Sequence, residues 1–271
     1  AIFAGEDDYN TLLTGNPAVT VNDLQLSWRD EVIRRNFVTS RAQVPLSALM
    51  NHSPITYKWQ QDMYKSEQGP LRTYADVYVW EFMRGNGLIE MYMNVLNMTE
   101  PQHKLWGQVS AWAVANDRIL LADSRFIGGQ PYKEDVYGYA HFTADNDGLV
   151  GVRNPALHAQ PFTFTLDEKA GFKNNGMTHE MRVIFPYMMP MGNQFKYGDK
   201  VFLPKVERDG VVVMEFRAAP KGSVPVLRPE RVEPAQPETK KISLTSEGAA
   251  AAAEYEITVP AGAAYSLTVI A

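Results

Sequence analysis

The sequence predicts an α/β region of parallel βα units over residues 1–127, followed by an all-β region over residues 128–271. Three observations lead there. In the first half, short apolar runs alternate with amphipathic ones, the pattern of strands joined by helical crossovers. In the second half, eight short strand-like runs follow one another with turn residues between them, the pattern of an antiparallel sandwich. Between the halves, Ile127-Gly128-Gly129-Gln130-Pro131 punctuates the chain with glycine and proline.

Taken in order, Ala1 to Gly5 is short and apolar and reads as a buried strand. Residues 24–37 carry Leu26, Val32, Ile33 and Phe37 at spacings that fit one helix face. Residues 44–52 (VPLSALMNH) read as a second buried strand ending at Asn51 and His52. Residues 71–84 place Tyr74, Val77, Tyr78 and Phe82 at helical spacing, and Gly85 then Gly87 end that helix. Residues 88–95 give the third strand. Thr99-Glu100-Pro101 opens a helix with a capping threonine and an early proline, and Leu105, Val109, Trp112 and Ala113 share its buried face. Three parallel strands are too few for a closed barrel of eight.

The β half offers strands at 136–142, 148–155, 161–167, 179–186, 200–207, 210–218, 255–260 and 264–271. Asp147-Gly148 and Asp209-Gly210 are hairpin-turn signals. The methionine-rich stretch YMMPMGN reads as an apolar loop covering the interface between the halves, and residues 219–241, rich in Pro, Lys and Glu, as an exposed connection. Ala249 to Ala253 reads as a loop or a single helical turn.

Composition narrows the function classes. Hydrophobic residues make up 45% of the 271 and charged ones 21%, an ordinary globular balance that argues against wholesale disorder. A net charge of -5 leaves no basic footprint for nucleic acid. Cysteine is absent, which excludes disulfides, thiolate metal sites and a cysteine nucleophile. No run of about 18 apolar residues predicts a membrane span. The five histidines, His52, His103, His141, His158 and His179, lack metal-ligand spacing, so no metal site is expected. No phosphate-cradling glycine loop or nucleophile elbow is present, and no cofactor is expected.

The acids Glu6, Asp7 and Asp8 directly follow the first strand. In α/β barrels the chemistry sits where strands end and βα loops begin. One carboxylic acid held there with a raised pKa could protonate a leaving oxygen, and adjacent like charges push a carboxyl pKa upward. The other reading is a solvated loop bearing three charges. His52, at a strand end, suits either a sugar hydroxyl or a backbone carbonyl. Arg29 and Asp30 are neighbours in sequence and do not face one another on a helix. Each needs a partner elsewhere, across the mouth of a site or in a structural ion pair. Tyr74, Tyr78, Trp80, Trp106 and Trp112 lie on helices and read as core.

Several segments, in order, resemble bacterial glycosidase-like proteins related to the retaining α-galactosidase (melibiase) clan. They are AIFAGEDDYN, LSWRDEVIRRN, VPLSALMNHSPI, GNGLIEMYMNVLNMTEPQHKLWGQVSAWAVANDRILL, and FIGGQPYKEDVYGYAHF followed by GLVGVRNPALHAQPFTFTLD. Together they span about residues 1–167. The resemblance implies the last βα units of a (β/α)8 barrel over 1–127 and a C-terminal antiparallel β-sandwich over 128–271. It implies hydrolysis of an α-glycosidic, α-galactoside-like bond by two carboxylates, about 5–5.5 Å apart in retaining enzymes. The acid/base falls on Asp8 or Asp7, with Asp8 favoured as lying further into the loop. His52, Arg29, Asp30 and Glu6 fall near the sugar. EDDYN departs from the clan's serine-aspartate pattern, and nothing here corresponds to the nucleophile, which lies upstream in the clan. The expected partners are therefore an oligosaccharide or glycoside substrate and a second polypeptide that supplies the upstream barrel. The setting expected is the bacterial periplasm or exterior. A non-catalytic carbohydrate-binding protein on the same fold is the alternative.

Overall fold

The computed structural model describes residues 2–3, 21–40, 44–56, 71–93, 95–187, 189–218, 238–244 and 253–259. Ala1–Ser223 forms one compact unit and Val224–Ala271 a second.

The first unit opens with the expected parallel sheet. Strands β1 (Ile2–Phe3), β2 (Leu49–Thr56) and β3 (Leu88–Met93) stand in the order β1-β2-β3, with Ile2 beside Leu49 and Met50 beside Leu88, all parallel. Helix α1 (Val21–Ile33) lies between the first two strands in sequence and α2 (Leu71–Met83) between the second and third. The helix expected to reach Phe37 changes at Ile33 into a π-helical turn, Arg34–Thr39, where Asn36, Val38 and Thr39 are weak helix formers. Gly85 ends α2 in a left-handed conformation (φ 69°). Helix α3 (Glu100–Ala115) begins where Thr99 N–H donates to Gln102 Oε1 at 2.7 Å, the reciprocal half of a capping box. The short α4 (Asp117–Leu120) follows.

The β region builds two sheets within the same unit. Six antiparallel strands stand in the order β4-β5-β6-β11-β8-β9: β4 (Asp123–Gly128), β5 (Tyr137–Phe142), β6 (Gly148–Arg153), β11 (Val211–Ala218), β8 (His179–Phe185) and β9 (Met189–Phe195). β7 (Gln160–Thr165) and β10 (Lys200–Val206) form a second, two-stranded antiparallel sheet. Every residue of β5 and β6 is buried, because both faces of the large sheet are covered. On one face, Tyr137, Tyr139, Leu149, Val211 and Val213 join a core with Ile33, Trp80, Met83, Val109 and Leu120 from the helices. On the other, Ala140, Phe142, Val150, Val152, Met214 and Phe216 pack with Phe162, Phe164, Val201 and Leu203 of the small sheet. Strand alternation assigns the residues to the two cores. The first core thus runs across the punctuation at Ile127–Pro131. At Gly151 of β6 the helix comes so close that a Cβ would stand 2.8–3.2 Å from three atoms of Met83.

Several sequence expectations are corrected. The second strand, expected over 44–52 with Asn51 and His52 at its end, begins only at Leu49, after a 3-10 turn at Leu46–Ala48, and runs on to Thr56, so both residues stand inside it. Asp147-Gly148 closes the β5–β6 hairpin, but Asp209-Gly210 joins β10 to β11, which lie in different sheets. The YMMPMGN segment enters β9 rather than forming a loop, and β4 is a strand where none was expected. A strand, β12 (Glu238–Leu244), begins inside the segment read as a connection; it pairs antiparallel with β13 (Ala253–Val259), whose first residue is the last alanine of the Ala249–Ala253 run. The strand expected at 264–271 lies outside the described residues. No helix among the described residues is long and apolar enough to cross a membrane.

Candidate functional site

In parallel α/β sheets, ligands bind beyond the carboxyl ends of the strands. Here that side follows β1, β2 and β3. Glu6, Asp7 and Asp8, next in sequence after β1, lie outside the described residues. His52 stands in the central strand β2, in register with Glu90 of β3.

Behind the strands lies a buried polar cluster that fixes the frame. Asp30 of α1 is fully buried and accepts four hydrogen bonds. Its donors are Arg84 Nε (2.7 Å) and Tyr139 Oη (2.8 Å) on Oδ1, and Trp80 Nε1 (2.7 Å) and Tyr137 Oη (2.6 Å) on Oδ2. A carboxylate offers roughly four acceptor positions, so this one is filled by protein donors. Glu81, also fully buried, accepts from Arg84 Nη1 and from Asn51 Nδ2, both at 2.5 Å on Oε2. Arg84 therefore bridges two carboxylates, one on α1 and one on its own helix side. The Arg153 guanidinium from β6 extends the cluster, donating to Ser27 Oγ at 2.8 Å and Tyr137 Oη at 3.3 Å.

Burial and charge set the protonation of this cluster. Burial pulls the Arg84 guanidinium down, but the carboxylates of Asp30 and Glu81 outweigh it and hold the group well above its ordinary value. Burial and the Asp30 carboxylate push the Tyr137 and Tyr139 hydroxyls well up. Both tyrosines accordingly keep their protons and act as donors to Asp30.

Arg29 and Asp30, expected beside the sugar, are thus both interior, at 1% and 0% exposure. Asp30 has found its partner in Arg84, directly after α2, and the pair ties α1 to the end of α2. Of the helical aromatics, Tyr74, Tyr78 and Trp80 are core, and Trp106 and Trp112 pack against it. Trp80 also donates a hydrogen bond, a role its spacing alone did not reveal. Glu81 and Arg84, three apart at the apolar C-terminal end of α2, were the available signal for the cluster.

A second buried polar contact closes the end of α2. His141 of β5 places Nε2 2.7 Å from Met83 O and Nδ1 2.8 Å from Ser124 Oγ. Burial lowers its pKa to about 4, against weaker opposing bonds to the Met83 and Leu120 carbonyls, so the ring is neutral at neutral pH. Neutral imidazole donates through one nitrogen and accepts through the other. Nε2–H then donates to Met83 O, and Nδ1 accepts from Ser124. Among the described residues, no group of three or more His, Asp or Glu side chains gathers in a way that could hold a metal ion.

No family model matches the sequence, and no curated protein matches it. Solved structures do match the fold. A candidate α-N-acetylgalactosaminidase from Bacillus halodurans aligns over 81% of this chain and 49% of its own, with a TM-score of 0.52 and 11% identity. The structural neighbours are α-galactosidases and related glycosidases. They include α-galactosidase I of Mortierella vinacea (17% identity, 55% of this chain and 36% of that one, TM-score 0.40). The Saccharomyces cerevisiae α-galactosidase solved with raffinose is another (11% identity, 56% and 44%, TM-score 0.39). The chain spans less than half the length of each of these three proteins.

Proposed function

We propose that the chain is the C-terminal portion of a glycoside hydrolase that cleaves α-galactoside-like bonds with two carboxylates. In this reading β1 to β3 are the last strands of a (β/α)8 barrel, and the two antiparallel sheets that follow form a β-sandwich. Asp8, or Asp7, is the acid that protonates the leaving oxygen, and Glu6 and His52 contact the sugar. The nucleophile comes from a second stretch of polypeptide that completes the barrel. Arg29 and Asp30 act from the interior, as anchors of α1, instead of touching the sugar.

The fold likeness to the Bacillus halodurans protein over most of the chain is the observation that supports this reading most. The parallel order β1-β2-β3 supports it further, since such sheets bind ligands beyond the carboxyl ends of their strands, and three acids come next in sequence after β1. The experiment is to replace Asp7 and Asp8 separately with Asn in the full-length protein, with the polypeptide that completes the barrel present, and assay aryl α-galactosides. Loss of turnover in at least one variant is expected. Wild-type turnover in both would overturn the assignment.

The departure of EDDYN from the serine-aspartate pattern favours a second reading, a protein that binds carbohydrate without cleaving it. Calorimetry with oligosaccharides, paired with product analysis, separates the two: this reading requires saturable binding with the substrate recovered intact.

A further inference from the structure

Where α2 gives way to β3, the chain forms a cavity of about 260 Å³. Its walls are apolar: Phe82 of α2, Ile89 of β3, Ala113 of α3 and Leu120 of α4, with the exposed Val114 and Leu121 at its mouth. Asn86 and Gly87, the two residues before β3, line it as well. The cavity therefore stands at the amino end of β3. Parallel sheets bind their ligands beyond the opposite, carboxyl end, so this space is separate from the sugar site proposed above.

The turn beside the cavity is preset. Gly87 N–H donates to Ser47 O at 3.0 Å, and a Cβ on Gly87 would stand 2.2 Å from that oxygen, so glycine is what lets the turn settle on Leu46–Ala48. Asn86 is 5% exposed. Its Nδ2 donates to Leu46 O at 3.1 Å, outside the cavity lining, and its Oδ1 is buried with no hydrogen-bond partner. A buried acceptor left unpaired is unfavourable, and native proteins leave few of them. The other polar side chain on the lining is Asp117, an exposed carboxylate that accepts from the Arg118 N–H. Ala113 and Val114 belong to the last turn of α3, the negative end of its dipole. Beside its apolar walls, the lining thus offers acceptors and negative potential.

We infer that this cavity binds a small ammonium compound with a compact apolar body. A cavity of about 150 Å³ with such walls holds a benzene ring, so this one has room for an aryl group and a short amine arm. Burying the aryl group removes apolar surface from water on both sides. The ammonium has three donors and no acceptor, which matches the Asn86 oxygen and the Asp117 carboxylate. The inference does not depend on the glycoside reading.

The test is calorimetric titration of 2-phenylethylamine into the full-length wild-type protein, Val114→Trp and Asp117→Asn, with thermal unfolding as a folding control. Val114 is 73% exposed, so the larger side chain is accommodated by the fold while it closes the mouth. Expected are saturable one-site binding to wild type, an unfolding midpoint that rises with amine concentration, and no binding to Val114→Trp. Asp117→Asn should bind the amine roughly two- to fivefold more weakly. 2-Phenylethanol, the same body without the charge, should bind wild type and Asp117→Asn equally. Uptake that never saturates, or wild-type affinity in a folded Val114→Trp, overturns the site. Wild-type affinity for the amine in Asp117→Asn overturns the choice of an ammonium ligand. Should Val114→Trp fail to fold, Asp117→Asn decides: a weakening confined to the amine supports the inference, and its absence overturns it.

Discussion

The neutral, buried His141 makes a quantitative prediction about acid. Its ordinary pKa of 6.5 falls to about 4 in the fold. The unfolded chain therefore takes up the proton first as pH falls, and uptake favours unfolding. The stabilisation is complete above about pH 6.5 and drains away down to about pH 4. At about 1.4 kcal/mol per pKa unit, the whole effect is about 3 kcal/mol, most of it gone by about pH 4.5. Carboxylates also titrate in this window, so the histidine must be isolated by difference. Urea unfolding of wild type and His141→Gln at about pH 7 and about pH 4.5 provides that. Glutamine can keep one of the two hydrogen bonds, to Met83 O or to Ser124 Oγ, but cannot take up the proton. Wild type should lose about 2–3 kcal/mol more than the variant across the interval. Equal losses in the two proteins would refute the claim that the ring is held neutral by burial. A direct check is the imidazole resonance of His141, which should remain neutral until the pH drops well below 6.

Two further predictions concern the frame behind the site. Asp30→Ala leaves the Arg84 guanidinium and two tyrosine hydroxyls without their shared acceptor, and should cost about 3–5 kcal/mol in chemical denaturation. Gly151→Ala forces its new methyl against Met83 and should cost about 1–3 kcal/mol; adding Met83→Ala should cost less than the sum of the two single changes, because the clash is then relieved.

The regular elements of the α/β region were legible because each carried a local signal. Apolar spacing marked α1 and α2, Thr99 and Pro101 marked the start of α3, and Gly85 marked the end of α2. Most of the strands in the middle of the large sheet were legible from their apolar runs. The two strands missed, β4 and β9, are its two edges. An edge strand has one partner and less burial, so β4 mixes charged with apolar residues, and β9 accommodates Pro190 at the sheet's edge. The Asp209-Gly210 turn was visible as a turn, but its local chemistry does not say whether the strands it joins will pair or diverge into different sheets. The polar cluster was the least legible feature. Asp30 draws donors from 50, 54, 107 and 109 residues away, separations at which no periodicity operates. A sequence can mark Asp30 as needing a partner, but which residues supply the donors is decided by the packing of α1 against α2 and β5. The register of His52 with Glu90 belongs to the same class of fact, because it depends on how two crossovers place their strands.

The measurement that bears most directly on the account is product analysis by nuclear magnetic resonance after incubating the full-length protein, with the polypeptide that completes the barrel present, with an aryl α-galactoside. Time-dependent release of galactose, lost on Asp8→Asn or Asp7→Asn, is the result expected. Substrate recovered unchanged after long incubation, with the protein folded and in excess, would contradict it.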